Sequence, residues 1–245
     1  MKRLLKIALG KLGYRVQGTR YIPSQLLETS NLRALEFDDV VCRRMFEYGS
    51  ELKFIQVGAF DGITRDPLHK YIARHRWRGV LLEPQPRVAA CLRELYRSND
   101  RILVLEAALD RRPGKRTLFT VDSDIVPTWA RGMASFKREG IAKNSYLIPG
   151  LEGMIKEIVV NCISFDDVFH NFPSDNLDLL QVDAEGADGY ILSLFPFGRL
   201  KPAIVHWESK NLTKTQQEEV LEMLNRHQYK FARSGDEDML AVADS

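Results

Sequence analysis

The chain has 245 residues, of which 44% are hydrophobic and 28% charged, a balance typical of a globular protein with a sizeable core. Its 35 basic and 33 acidic residues leave a formal net charge of +2. This near balance argues against nucleic-acid binding as the main function, because such domains usually carry a strongly basic face. The three cysteines, Cys42, Cys91 and Cys162, form no metal-ligand spacing and no disulfide framework, so they favour a reducing, cytoplasmic location.

The N-terminal residues carry a short amphipathic pattern. Its apolar positions share one helical face: Leu4, Leu5, Ala8, Leu9 and Leu12. We expect residues 1–50 to form a helical extension that packs on a domain of residues 51–245. The alternative is a weak contact of residues 1–15 with a membrane surface, since lysines lie away from the apolar face. No apolar run reaches the roughly 18 residues that a membrane span needs.

After residue 50, short apolar runs alternate with helical patterns. The predicted strands of this part are 54–57, 79–84, 102–108, 177–182 and 202–207. The predicted helices are 38–48, which precedes the first strand, and 68–75, 85–98, 188–194 and 213–226. This alternation predicts a doubly wound α/β domain with a mostly parallel sheet covered on both faces.

Two regions depart from the alternation. The strands predicted there are 116–121 and 157–163, followed near the C-terminus by an antiparallel hairpin of 229–233 and 238–242. The connection between residues 121 and 157 is long and irregular, and such connections in compact domains are usually functional. We predict that it is a lid or substrate loop in which Trp129 and Phe136 wall an acceptor.

The first predicted strand ends in a glycine turn, Gly58-Ala59-Phe60-Asp61-Gly62. Ligands of open α/β sheets bind beyond the carboxyl ends of the strands, so this turn is the predicted floor of a site. Glu83 ends the second strand, 25 residues after Gly58, at about the interval where an acidic residue meets ribose hydroxyls in nucleotide-binding folds. A carboxylate can accept both hydroxyl protons of a ribose. The alternative for Glu83 is a surface acid at a strand end.

The turn distinguishes between two nucleotide cofactors. A dinucleotide site needs a G-x-G-x-x-G pattern, which places a pyrophosphate on a helix N-terminus. Here the third glycine is missing and Asp61 would repel a pyrophosphate. The same aspartate suits the cationic amino end of S-adenosylmethionine, so the residues favour the methyl donor.

Several segments together resemble the FkbM family of S-adenosylmethionine-dependent methyltransferases. The matching segments are 54–62, 66–68, 79–86, 160–168, 178–189 and 206–208, and the most distinctive block is Asp183-Ala184-Glu185-Gly186. They span roughly residues 52–210. The resemblance implies a Rossmann-like, seven-stranded, mostly parallel sheet of the class I methyltransferase type. It also implies methyl transfer to an oxygen atom, often on a sugar or a natural-product scaffold.

The resemblance also implies where the donor binds. The residues that it places at the donor are Gln56, Gly58, Ala59, Asp61, Gly62, Glu83, Pro84, Ala108, Leu109 and Asp183. Gly58 and Asp61 line the methionine part and Glu83 holds the ribose. Ala108 and Leu109 lie near the adenine, and Asp183 lies beside the donor methyl group. Phe60 departs from the family, which commonly has a small amide residue at this position.

Four titratable side chains at adjacent strand ends are the candidates for catalysis: Asp183, Glu185, His206 and Glu208. A hydroxyl nucleophile needs a general base, and we predict His206 or Asp183 in that role, with Glu185 or Glu208 orienting it. The structural alternative is that Glu185 caps a turn and that His206 is an ordinary buried strand residue. The same four side chains are also a candidate ligand set for a divalent cation.

Two other functions remain open at this point. One is a nicotinamide-dependent oxidoreductase, and the other is a non-catalytic scaffold that binds a nucleoside-like ligand. Calorimetry with S-adenosylmethionine and with NAD distinguishes all three hypotheses. The partner predicted for the methyltransferase is a small-molecule or glycan acceptor, and the motifs are compatible with sugar, polyketide, lipid-linked glycan and carboxylate acceptors.

Overall fold

The computed structural model of the chain describes residues 35–121 and 125–243. The amphipathic pattern of residues 1–15 lies outside the described residues. None of the helices in the described ranges is long and apolar enough to cross a membrane.

The described residues alternate between strands and helices much as the sequence predicts. The helices are α1 (Phe37–Tyr48), α2 (His69–Arg74), α3 (Pro86–Leu95), α4 (Arg138–Ala142), α5 (Leu151–Met154), α6 (Phe165–Asn171), α7 (Asp188–Leu194) and α8 (Lys214–Arg226). The strands are β1 (Lys53–Val57), β2 (Arg78–Leu82), β3 (Ile102–Leu105), β4 (Ala108–Leu109), β5 (Gly114–Val121), β6 (Ala134–Ser135), β7 (Ile155–Ile163), β8 (Leu179–Val182), β9 (Ile204–Glu208), β10 (Tyr229–Ser234) and β11 (Asp238–Ala243). The predicted hairpin is confirmed as β10 and β11, which pair antiparallel.

Seven strands form the main sheet in the order β10-β11-β9-β8-β1-β2-β3. The five strands from β9 to β3 are parallel, and β11 runs antiparallel to both of its neighbours. The carboxyl ends of β1, β2, β8 and β9 therefore meet at one edge. This arrangement confirms the predicted mostly parallel, seven-stranded sheet.

Helices cover both faces of the main sheet, which is why its central strands are apolar almost throughout. On one face α1, α2 and α3 enclose a core that includes Phe54, Tyr71 and Trp77. On the other face α6, α7 and α8 enclose a second core, which includes Phe195 and Trp207. Successive residues of each strand point to opposite faces of the sheet. The face on which a side chain lies therefore determines which of the two cores it enters.

A second, four-stranded sheet has the order β4-β7-β5-β6. The sequence predicts one continuous strand over residues 102–108, but the structure divides it. β3 pairs with β2 in the main sheet, whereas β4 pairs with β7 in the small one. The change of sheet follows a tight turn, in which the Ala107 amide donates to the Leu105 carbonyl at 3.0 Å.

Residues 125–154, called the insert below, follow β5 and precede β7. The insert is less irregular than its sequence indicates, because it holds a 3₁₀ turn at Thr128–Gly132 together with β6, α4 and α5. With the adjoining ends of β5 and β7 it has a hydrophobic core of its own, which includes Met133, Ile141 and Leu151. It is therefore a small packed layer attached to the main domain.

Candidate functional site

The glycine turn after β1 is held tightly between the two neighbouring strands. Gly58 has a φ of +78°, and a Cβ atom at this position would overlap the carbonyl oxygen of Asp183. The amides of Gly58 and Ala59 both donate to the Leu82 carbonyl at 3.0 Å. Glycine is required here because the backbones of the β1 and β8 loops approach more closely than any side chain permits.

Glu83 lies at the tip of β2 and is 4% exposed. One carboxylate oxygen accepts from the Phe60 amide at 3.0 Å, and the other accepts from the Gln85 amide at 2.9 Å. Each oxygen has a second lone pair, so the carboxylate that fixes the turn can still accept ribose hydroxyls. Burial raises the pKa of Glu83 to about 7, although both amide hydrogen bonds oppose the rise.

Asp188 is a second buried carboxyl at this edge, and sequence reasoning did not single it out. It accepts from the Ala184 and Gly186 amides at 3.0 Å and so holds the loop after β8. Burial, followed by the charge of Glu208, raises its pKa to about 7. The available signal was its position at the start of α7, where an acidic residue can cap a loop.

These two raised pKa values predict that the protein loses stability as the pH rises. Between the unfolded pKa and about 7, the folded state binds more protons than the unfolded state. The free energy of unfolding should therefore fall between about pH 4 and pH 8, by on the order of 3 kcal/mol for each group, of which about 2 kcal/mol falls between pH 5 and pH 7. Urea unfolding at pH 5, 6, 7 and 8 measures this. The Glu83→Gln variant should show a shallower slope, and an equal slope would contradict the assignment.

The other residues of the turn have structural partners. The Asp61 carboxylate accepts from the Ile63 and Thr64 amides at 2.9 and 2.7 Å, and from the Thr64 hydroxyl at 2.7 Å. It therefore shapes the turn, and the prediction that it lines the methionine part stays a prediction. Phe60 has a φ of +45°, and its ring lies against Gly132, where a Cβ atom would be 3.3 Å away. The unexpected aromatic residue thus joins the turn to the insert.

A buried polar row lies one layer below this edge. Gln56, Gln181 and His206 are neighbours across β1, β8 and β9. His206 Nδ1 lies 2.6 Å from Gln181 Oε1, and the ring of Phe37 lies 4.6 Å from the His206 ring. Gln56 hydrogen-bonds to Asp66 on the far side. Within the described ranges, Gln56 Oε1, Asp66 Oδ2 and His206 Nε2 have no hydrogen-bond partner.

The position of His206 argues against its predicted role as general base. It is 3% exposed, and burial lowers its pKa to about 3. A neutral imidazole with so low a pKa has little affinity for a proton near neutrality, and the Phe37 ring packs against it. Its side chain belongs to the interior because it lies on the covered face of β9, two residues before the strand ends.

Asp183, in contrast, is both accessible and crowded. Its side chain is exposed at the tip of β8, yet protein atoms surround the carboxylate closely. This crowding, followed by the charges of Glu208 and Asp188, raises the pKa of Asp183 well above its usual range. Burial and Glu208 also raise the pKa of Glu185, against the opposing charges of Lys210 and Lys143. Crowded carboxylates of this kind accept protons more readily than ordinary ones.

Glu208 is fully engaged by its neighbours on the loop after β9. Lys210 Nζ lies 2.7 Å from one carboxylate oxygen, and Asn211 Nδ2 lies 2.6 Å from the other. Asn211 also lies 3.4 Å from Glu185 Oε2 and accepts a hydrogen bond from Lys143 in the insert. Sequence reasoning missed Asn211, because its nearest motif, His206-Trp207-Glu208, ends three residues earlier.

The insert is also attached at the opposite corner of the site, near Pro84. Gln85 Nε2 donates to the Arg131 carbonyl at 3.4 Å, and Gln85 Oε1 accepts from the Thr120 hydroxyl. The insert therefore contacts both the Glu83 corner and the Glu185 corner of the edge. This placement agrees with the predicted lid.

The predicted adenine contacts are only partly placed at a surface. Ala108 is 8% exposed, whereas Leu109 is 2% exposed and its side chain packs in the core with Phe165. Leu109 contributes no side-chain surface to a ligand. A Cβ atom at Gly62 would lie 2.7 Å from the Leu92 side chain on α3, so a glycine here lets the turn pack against that helix. Among the described residues, no three His, Cys, Asp or Glu side chains are arranged to hold a metal ion.

The edge fits S-adenosylmethionine chemically. The carboxylates of Asp183 and Glu185 repel one another, and a cationic sulfonium relieves this repulsion. Glu83 retains lone pairs for ribose hydroxyls.

Comparison with known proteins gives the family. The family model described as the methyltransferase FkbM domain matches residues 56–231, whereas no curated protein sequence matches the chain. The chain therefore belongs to the FkbM methyltransferase family and is an S-adenosylmethionine-dependent methyltransferase. This membership decides against the oxidoreductase alternative.

Solved structures of methyltransferases are similar to the chain only at low identity. Precorrin-6y C5,15-methyltransferase from Geobacter metallireducens is 11% identical, with 94% of each chain covered and a TM-score of 0.44. The FkbM methyltransferase from Methylobacillus flagellatus is 12% identical, with 79% of this chain and 44% of that chain covered and a TM-score of 0.41. The N-terminal domain of human METTL16 is 11% identical, with 97% and 78% covered and a TM-score of 0.44. Similarities this weak carry no argument about the substrate.

Proposed function

We propose that the chain is an O-methyltransferase that acts on a hydroxyl group of a sugar, a glycan or a natural product. Asp183 is the general base in this proposal, and Glu83 holds the ribose of the donor. When bound, S-adenosylmethionine supplies an electrophilic methyl group. The chain's own residues align the acceptor, exclude water and take up the hydroxyl proton.

The observation that carries the proposal is the environment of Asp183. Its carboxylate is reachable from solvent at the tip of β8, while crowding and the charges of Glu208 and Asp188 raise its pKa. The Asp183 carbonyl lies directly against Gly58 in the donor turn. A base with a raised pKa beside the donor site is what proton removal from an alcohol requires.

The neighbouring glutamates have different parts in this proposal. Glu208 is held by Lys210 and Asn211 on both oxygens, so it supplies fixed negative charge that sustains the raised pKa of Asp183. Among the described residues, the Glu185 carboxylate has a single hydrogen bond, the 3.4 Å contact with Asn211. It is therefore the carboxylate that can turn to an acceptor hydroxyl and orient it toward Asp183. No step of the proposal uses a metal ion.

The charge of the edge supports a small-molecule or glycan acceptor over a nucleic acid. Asp183 and Glu185 lie at one end of the site with Glu208 beside them, and these carboxylates would repel a polyanion. The insert exposes two aromatic side chains, Trp129 at 36% and Tyr146 at 80%, and aromatic faces suit sugar rings. Phe136, the other predicted wall, is stacked on the Arg116 guanidinium at 4.0 Å. All three cysteines are free thiols, in keeping with a cytoplasmic location.

Calorimetry and a labelled-donor assay test the proposal. We expect the full-length protein to bind S-adenosylmethionine and its demethylated product, but not NAD. Incubation with methyl-labelled donor and a panel of saccharides and hydroxylated natural products should label at least one acceptor. Donor binding with transfer only to a nitrogen atom would contradict the hydroxyl assignment, and transfer only to RNA would contradict the small-molecule or glycan acceptor. Binding of neither nucleotide would leave a non-catalytic scaffold.

A further inference from the structure

The insert meets the carboxylates of the site at one side chain, Asn211. Its Nδ2 lies 2.6 Å from Glu208 Oε2 and 3.4 Å from Glu185 Oε2. On its other side, Oδ1 accepts from Nζ of Lys143, which follows α4 in the insert. An amide is the side chain that suits this position, because it presents a donor to two anions and an acceptor to a cation.

The loop that carries Asn211 is fixed to the main domain. The amides of Ser209 and Lys210 donate to the Glu237 carbonyl at 2.8 and 3.1 Å. Gln217 Nε2 donates to the Ser209 and Leu212 carbonyls at 3.1 and 3.2 Å. The loop therefore holds Asn211 in a fixed position on the main domain. Asn211 in turn holds the two elements that it contacts, one on either side.

One of these elements is the loop after β8. Glu185 has a φ of +51°, a conformation that residues other than glycine adopt only when their surroundings enforce it. Gly186, at +98°, follows directly, and a Cβ atom there would lie 3.4 Å from the Asn211 Cβ. The loop is thus folded directly against Asn211, which contacts the Glu185 carboxylate at the same time.

The other element is the far end of the insert. Lys143 is an exposed residue, and its charge acts on Glu185 as well as on Asn211. If the amide of Asn211 were reversed, its NH₂ group would face Lys143 and its oxygen would face two carboxylates. Lys143 and the two carboxylates therefore favour the same orientation of the Asn211 amide.

We propose that Asn211 is a positioning residue that couples closure of the insert to the orientation of the Glu185 carboxylate. When the insert is closed, Lys143 engages Asn211 Oδ1, and Nδ2 is directed at Glu185 and Glu208. When the insert opens, Asn211 loses the Lys143 contact and Glu185 loses the positive charge of Lys143, so the Glu185 carboxylate is less restrained. This coupling rests on the proposed function and deepens it. It names the contact that orients the Glu185 carboxylate once the insert encloses an acceptor.

Hydrogen exchange of the full-length protein tests the contact without an acceptor. In Lys143→Met and in Asn211→Ala, we expect peptides covering residues 138–151 to exchange about tenfold faster, since one charge-assisted hydrogen bond is lost. Lys143→Arg keeps a donor for Asn211 and should restore protection. Asn211→Asp keeps an acceptor for Lys143 but repels Glu185 and Glu208. It should therefore protect the insert while residues 184–188 exchange faster.

Matched controls separate the contact from general effects. Lys137→Met removes another exposed lysine of the insert, and Asn161→Ala removes an exposed asparagine on β7, so neither should change the exchange of residues 138–151. The double variant Lys143→Met with Asn211→Ala should match the single variants. Unchanged protection in Lys143→Met, or additive effects in the double variant, would overturn the proposal. Should Asn211→Ala fail to fold, Lys143→Met and Lys143→Arg decide the matter.

The kinetic consequence follows once an acceptor is identified. Lys143→Met should raise the acceptor KM about tenfold, with a smaller change in kcat, because Lys143 acts on the Glu185 carboxylate that orients the acceptor hydroxyl. Equal loss of kcat and kcat/KM would contradict a positioning role. Failure of the wild-type protein to bind S-adenosylmethionine would refute the proposed function and leave the exchange result standing, so the two are tested separately.

Discussion

Replacing Asp183 with asparagine should lower the rate of methyl transfer by about 10³-fold, within the range that a general base contributes. Asparagine keeps the shape of the side chain but cannot take up the hydroxyl proton. The fold should survive, because the substitution removes a carboxyl whose pKa is raised by crowding and by Glu208 and Asp188. Initial rates with methyl-labelled donor at saturating acceptor measure the effect.

Two controls accompany the Asp183 variant. Asp175→Asn changes an exposed aspartate that precedes β8 and should leave the rate unchanged. Calorimetry should show that Asp183→Asn weakens donor binding by less than about tenfold, the value expected for one lost charge interaction at an accessible site. Full turnover by Asp183→Asn would remove this residue from the mechanism and would require a different general base.

The Glu83→Gln variant should weaken donor binding by about 100-fold, which corresponds to the two charge-assisted hydrogen bonds expected with a ribose. A glutamine also places an NH₂ group where the structure needs acceptors for the amides of Phe60 and Gln85. The turn after β1 therefore loses support at the same time. Calorimetry with S-adenosylmethionine measures the donor Kd.

The pH dependence of donor binding separates charge from shape at Glu83. Because burial raises its pKa to about 7, donor affinity of the wild-type protein should increase as the pH rises from 6 to 8. The Glu83→Gln variant should lose that increase, whereas Glu94→Gln, an exposed position on α3, should retain it. An unchanged donor Kd in Glu83→Gln would show that the ribose binds elsewhere.

Local patterns determined which residues lie at the edge of the sheet. An apolar run followed by Gly58, a strand that ends at Glu83 and the Asp183-Ala184-Glu185-Gly186 block are each readable over a few residues. Because parallel strands bring their carboxyl ends to one edge, knowing where the strands end was enough to predict that these residues meet. The main sheet and its closing hairpin followed from the same alternation.

Tertiary structure determined the burial and the contacts of each side chain near this edge. His206 is buried under Phe37 because it lies on the covered face of β9, and Leu109 enters the core because β4 leaves the main sheet. Asn211 contacts both Lys143 and Glu185, although it lies 68 residues after Lys143 and 26 residues after Glu185 in the chain. The sequence by itself determined which residues meet at this edge of the sheet, since strand ends are local features. The choice of base and the contact with the insert depend on long-range packing, which no local pattern encodes.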